Sequence, residues 1–176
     1  MTESKFYHIS SSGLIYRVNT LEEAVKSLDE DGFIWLDYYN PEKKDISILT
    51  DIIGIHPLSV EDCFDEKQVP KIEYFHNNTF ILFNALSYKD KTLYLDEVNL
   101  FIGSNFLITI SGHDADGRMP LKNISIEAEH NIMNVKNGPA YLLHVVLDHL
   151  VDEKYIAFGT MGDEIEGAEE RLLDAV

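Results

Sequence analysis

Residues 79–111 read TFILFNALSYKDKTLYLDEVNLFIGSNFLITIS. Three β-prone runs, TFILFNALSY, LYLDEVNLFIG and FLITIS, are rich in branched and aromatic side chains. A turn at Lys89-Asp90-Lys91 leads from the first into the second, and Ser104-Asn105 separates the second from the third. Connectors of hairpin length join neighbouring strands antiparallel. Upstream, KIEYF leads through Asn77-Asn78 into the first run. The block therefore predicts an antiparallel meander.

Working outward, KFYHIS and LIYRV flank Ser11-Ser12-Gly13 and read as a hairpin. Thr20 is placed to cap LEEAVKSLDEDG, a short helix closed by Gly32. FIWLDYY follows as a buried strand. Pro41 opens a helical pattern through Ile53, with Ile46, Leu49, Ile52 and Ile53 on one face. Pro57 starts a third helix, expected to run through Glu61, Asp62, Asp65 and Glu66 to about Lys67 before Pro70 ends it. After FLITIS a loop, GHDADGR, precedes a helix over roughly 119–135. Helices inserted between and beside strands imply an α/β domain over 1–137, a mixed and largely antiparallel sheet sandwiched by helices. No internal repeat is present.

Residues 138–176 differ in kind. From Pro139 onward there is no proline and no turn cluster, and Leu143, Leu147, Leu150, Phe158, Met161, Ile165, Ala168 and Leu172 recur at helical spacing, with Lys154 in the one gap. At about 1.5 Å per residue such a helix exceeds ~50 Å, too long for one layer of a small domain. Gly159, Gly162 and Gly167 each weaken it by roughly 1 kcal/mol relative to alanine. The pattern reads as the start of a stalk that needs a partner helix. With the stripe still running at Val176, the chain is expected to continue in a longer protein.

Fourteen basic residues against 31 acidic give a net charge of −17. A chain so acidic repels nucleic acid and favours cations or basic partners. Cys63 is the sole cysteine, so no intrachain disulfide forms. No stretch reaches the ~18 apolar residues of a membrane span. There is no P-loop and no dinucleotide fingerprint. His113, Asp114 and Asp116 have no nucleophile motif beside them and read as loop, so no catalytic residue is assigned and the chain is not read as an enzyme. His56-Pro57 reads as a helix start.

Gly-Ile-His-Pro-Leu-x-x-Glu-Asp at 54–62 and Gln-x-Pro-Lys-Ile-Glu at 68–73 resemble the signature of the CorA family of divalent-cation channels. TFILFNAL at 79–86 and EVNLFIGSNFLITI at 97–110 are similar to that family's central strands, and GPAYLLHVVLDHLVD at 138–152 to the start of its stalk helix. The resemblance implies the cytoplasmic N-terminal domain of a homopentameric Mg²⁺ channel. Its stalk would run on into two membrane helices and a Gly-Met-Asn motif, neither of which this chain contains. Val69 stands where the family often has arginine. The zinc transporter ZntB shares the same architecture, so Zn²⁺, Co²⁺ and Ni²⁺ stay open beside Mg²⁺. A stand-alone acidic oligomerisation module is a third reading.

The resemblance also implies regulatory sites. Glu61 and Asp62, with Asp152 and Glu153 in the stalk, would hold a divalent ion between neighbouring subunits. Read from the residues alone, Glu61/Asp65 and Asp62/Glu66 are like-charge neighbours at i,i+4. They form either an ordinary acidic first turn eased by the helix dipole, or a cation site completed by another subunit.

Overall fold

A computed structural model describes residues 3–65, 68–112 and 118–174. Seven strands form one sheet: β1 (Glu3–Ile9), β2 (Ile15–Val18), β3 (Phe33–Tyr39), β4 (Lys71–Tyr74), β5 (Thr79–Lys89), β6 (Thr92–Ile102) and β7 (Phe106–Ser111). Their order across the sheet is β2-β1-β3-β7-β6-β5-β4. Every pairing is antiparallel except β3 with β7, where Trp35 lies opposite Leu107. The mixed, largely antiparallel sheet and the β4–β7 meander are as the sequence predicts. Asp90 and Lys91 take φ of 51° and 63°, the left-handed pair that a two-residue hairpin turn demands.

Alternation along the strands divides the sheet into two apolar faces. One carries Ile34, Leu36, Phe80, Leu82, Phe101, Ile108 and Ile110. It is covered by α1 (Leu21–Lys26), α2 (Lys43–Ile52) and α3 (Pro57–Asp62), which contribute Ala24, Ile46, Leu49 and Val60. The other carries Tyr7, Ile9, Phe33, Trp35, Val98, Leu100 and Leu107. It is covered by α4 (Ile124–His130), α5 (Ile132–Val135) and α6 (Pro139–Asp174).

Several element bounds differ from the sequence reading. α2 begins at Lys43 rather than Pro41, because Glu42 and Asp45 close a reciprocal capping box over its first turn. It ends where Ile53 and Gly54 both donate to Leu49 O and Gly54 takes φ +82°. The helix expected over 119–135 is two, broken at Asn131, whose side chain donates to Glu127 O (2.9 Å) and competes with the backbone there. His113, Asp114 and Asp116 lie outside the described residues, as do Glu66 and Lys67.

The long helix is present: α6 has 36 residues, about 54 Å at 1.5 Å per residue. Its sheet-facing row is Leu142, Val146, Leu150 and Ala157: Leu150 is buried as expected, whereas Leu143 and Leu147 are only partly buried and the residues before them face the sheet. Lys154, the gap in the apolar series, lays its Nζ 3.8 Å from the Phe83 ring centroid, and burial lowers its pKa. Beyond Ala157 no described side chain of α6 is buried.

Candidate functional site

His56 sits extended (φ −76°, ψ 133°) as Pro57 requires, and its Nδ1 accepts from Leu58 N at 3.2 Å. Its ring stacks on Phe75 with centroids 4.6 Å apart. The His-Pro pair is thus a helix cap seated on the meander. α3 then buries Ser59 and Val60 and stops at Asp62.

This overturns the expectation of a helix running to Lys67 with its acids in the first turn. Glu61 and Asp62 occupy the last turn, where the dipole opposes a carboxylate, and Asp65 lies beyond the helix. The i,i+4 pair Glu61/Asp65 therefore does not form. The physical reason is the turn at Cys63–Phe64, which packs a partly buried Phe64 against the core and Cys63 Sγ onto Ser59 O (3.1 Å) while Asp62 is held by a basic residue across the cleft. Burial pushes the Cys63 thiol well above its ordinary range, so it is not a reactive thiolate.

That basic residue is Lys71, on β4. Its Nζ lies 2.6 Å from Asp62 Oδ2 and 3.2 Å from Glu73 Oε1, and 5.9 Å from the Phe80 ring centroid. The bond to Asp62 is the first cause of a raised Lys71 pKa. Leu58, Glu61, Asp62, Lys71, Glu73 and Phe75 line one cleft of about 360 Å³. Behind it Glu97 is held above the ordinary carboxylate range, first by burial and then by the charges of Asp62 and Asp65, partly offset by Asn99 Nδ2 donating at 2.7 Å. Asn99 is wholly buried and its Oδ1 has no hydrogen-bond partner.

Asp152 and Glu153 are both exposed on α6. α6 packs on the sheet face opposite α3, so the two acidic pairs named from the sequence are not brought together within this chain. Among the described residues no group of three or more carboxylate, imidazole or thiolate side chains is arranged to hold a metal. Among them, too, no helix is long and apolar enough to cross a membrane.

Sequence reasoning missed two features. Lys71 stands in the Gln-x-Pro-Lys-Ile-Glu signature, but the sequence reading gave it no ion-pair partner. A second cleft, about 770 Å³, includes Tyr94, Asp96, Arg118, Lys122, His149 and Glu153. In it Arg118 grips Asp96 through Nε (3.0 Å) and Nη2 (2.9 Å) and lies 4.2 Å over the Tyr94 ring. Nothing in the local sequence pairs residues 22 positions apart with strand β7 between them.

The family model described as CorA-like Mg²⁺ transporter protein matches residues 30–176. A putative metal ion transporter, YfjQ, of Bacillus subtilis is 32% identical over 136 residues, 77% of this chain and 41% of that protein. The cobalt/magnesium transport protein CorA of Thermotoga maritima is 27% identical over 163 residues, 90% of this chain and 46% of that protein. The chain thus spans less than half the length of these relatives. The solved soluble domain of CorA from Methanocaldococcus jannaschii superposes with a TM-score of 0.74 at 20% identity, covering 97% of this chain and 64% of that one. That likeness establishes a shared fold.

Proposed function

Because this chain belongs to the CorA-like Mg²⁺ transporter family, we propose that it is the cytoplasmic, cation-sensing domain of a divalent-cation transporter. The whole protein would be a homopentamer anchored in the membrane by helices beyond this chain. Mg²⁺ is the first expected ion, with Co²⁺, Ni²⁺ or Zn²⁺ as alternatives. Mg²⁺ takes carboxylate oxygens at few positions and retains several waters, so one or two acids from each side of an interface suffice.

The observation that carries this reading is the separation of the two acidic pairs. Glu61 and Asp62 lie at the end of α3 and Asp152 and Glu153 on the exposed side of α6, across the sheet from each other. Each pair is an incomplete ligand set, and a neighbouring subunit is the natural source of the rest. The net charge of −17 supports the same reading, since pentamer formation brings together acidic surfaces that a divalent ion screens.

The test is limited proteolysis of the full-length protein across a Mg²⁺ series. Asp62→Ala and Asp152→Ala are each expected to raise the Mg²⁺ concentration for half-protection about tenfold, the loss of ~1.4 kcal/mol of ion binding. A midpoint unchanged in both variants would sink the sensing role.

A further inference from the structure

We infer that Lys71 is a tethered cation that occupies Asp62 and competes with the divalent ion for its carboxylate. The inference rests on the sensing role just proposed and adds to it the group that sets the ion's working concentration.

Three carboxylates, Glu61, Asp62 and Glu73, share one cleft with a single ammonium. That ammonium touches two of them, at 2.6 Å and 3.2 Å. Asp62 and Lys71 keep only 19% and 25% of their side-chain surface exposed, so water screens the pair less than a surface pair. Lys71 is also anchored from below: β4 pairs with β5 at Lys71–Leu82, and the ammonium stands near the Phe80 ring. The sheet thus fixes the backbone from which Lys71 reaches Asp62. Glu61, one residue earlier, is exposed and makes no ion pair among the described residues. The cleft therefore offers an incoming ion one accessible carboxylate and one that must first release its lysine.

A carboxylate that is free only part of the time lowers the apparent affinity of its ligand by the free fraction. An ion pair at the upper end of the range for partly exposed pairs leaves Asp62 free roughly one-sixth of the time, which sets the fold-change expected on removing it at about six. Lys71 also supplies a positive charge that the ion must approach. Removing it gives the cleft one more unit of negative charge and a permanently available Asp62 oxygen.

The experiment uses the full-length protein and Mg²⁺ alone, reading the concentration for half-protection in limited proteolysis. Lys71→Met is expected to lower that midpoint about five- to tenfold, and Lys71→Arg, which keeps the charge and adds a planar fork, to hold it or raise it. In an Asp62→Asn background Lys71→Met is expected to shift the midpoint by no more than about twofold, the effect of its charge alone, whereas a lysine that acts only through its charge would shift it equally in both backgrounds. An unchanged or higher midpoint for Lys71→Met overturns the inference. Should Lys71→Met fail to fold, Lys71→Arg decides, and a midpoint fivefold lower overturns it. If Asp62→Asn leaves the wild-type midpoint in place, the sensing role fails and this inference falls with it. If Asp62→Asn raises the midpoint while Lys71→Met does not lower it, only the competitor role is lost.

Discussion

The two halves of α6 are one continuous helix in opposite environments. From Pro139 to Ala157 it lays Leu142, Val146, Leu150 and Ala157 on the sheet, and Lys154 covers Phe83. From Phe158 to Asp174 no side chain is buried, and Phe158, Ile165, Leu172 and Leu173 are all more than half exposed. The distal half meets the domain at the end of the β5–β6 hairpin, where Tyr88 Oη donates to Glu164 Oε2 at 2.7 Å. Apolar side chains recur in both halves, so pattern alone does not separate them. What separates them is whether a surface lies underneath. The sheet ends, and the helix goes on presenting the stripe that would have covered more of it.

The contrast breaks most readily in the core. Leu150 is wholly buried, among Tyr7, Trp35, Val98 and Leu100 of the same cluster. Leu150→Ala is expected to cost this 176-residue chain about 4 kcal/mol, the transfer of the lost methyls plus the cavity they leave. Phe158→Ala, eight positions on, removes a larger side chain and is expected to cost no more than about 0.5 kcal/mol. Urea unfolding of both variants measures the difference. Equal costs would mean that the distal half is packed against something in this chain and that the two environments are not distinct.

The covered side of the sheet has its own misfit, an acid where apolar side chains dominate. Asp37 points to the same face as Trp35 and accepts from Thr109 Oγ1 at 2.6 Å, while Thr109 Oγ1 accepts from Trp35 Nε1 at 3.1 Å. Burial raises the Asp37 pKa from 3.8 to about 6, with the Thr109 bond opposing. A folded-state pKa above the unfolded one favours the fold fully below pH ~4, and this advantage is lost as pH rises through about 6. Asp37→Asn keeps the oxygen that Thr109 needs and removes the charge. It is expected to stabilise the chain by ~2–3 kcal/mol at pH 7.5 and to match wild type near pH 4, read from paired thermal melts. A variant no more stable than wild type at pH 7.5 would show that Asp37 is solvated despite its place in the sheet.

Much of this was legible in the sequence because it rests on local rules. Period-two strands, the Asp90-Lys91 turn and the proline-free run after Pro139 each carry their signal within a few residues. The stripe on α6 was read correctly at Leu150 but one position off at its start, because Leu143 and Leu147 are as apolar as Leu142 and Val146, and only the sheet's position chooses between adjacent rows. The acidic cluster was misread for a similar reason. Pro57 correctly starts α3, but the helix stops where Phe64 turns inward and Lys71, nine residues on, takes Asp62. A long-range ion pair has no periodicity. The chemistry of Glu61, Asp62, Asp152 and Glu153 was legible as residue types, but their separation across the sheet belongs to the fold.

The smallest effect tests the distal half on its own terms. Gly162 lies inside α6, and a Cβ built on it meets nothing within 4 Å. Its glycine therefore makes room for no contact in this chain and carries only its entropic penalty. Gly162→Ala is expected to strengthen the local helix by up to about 1 kcal/mol, since alanine loses less backbone freedom on becoming helical. Because no side chain of that segment is buried, the gain is expected in slowed amide hydrogen exchange over roughly 158–170 and not in the urea midpoint of the domain. A matching rise in the midpoint would mean that the distal half unfolds together with the sheet, so that the Tyr88–Glu164 contact links it to the domain strongly enough to merge the two halves into one cooperative unit.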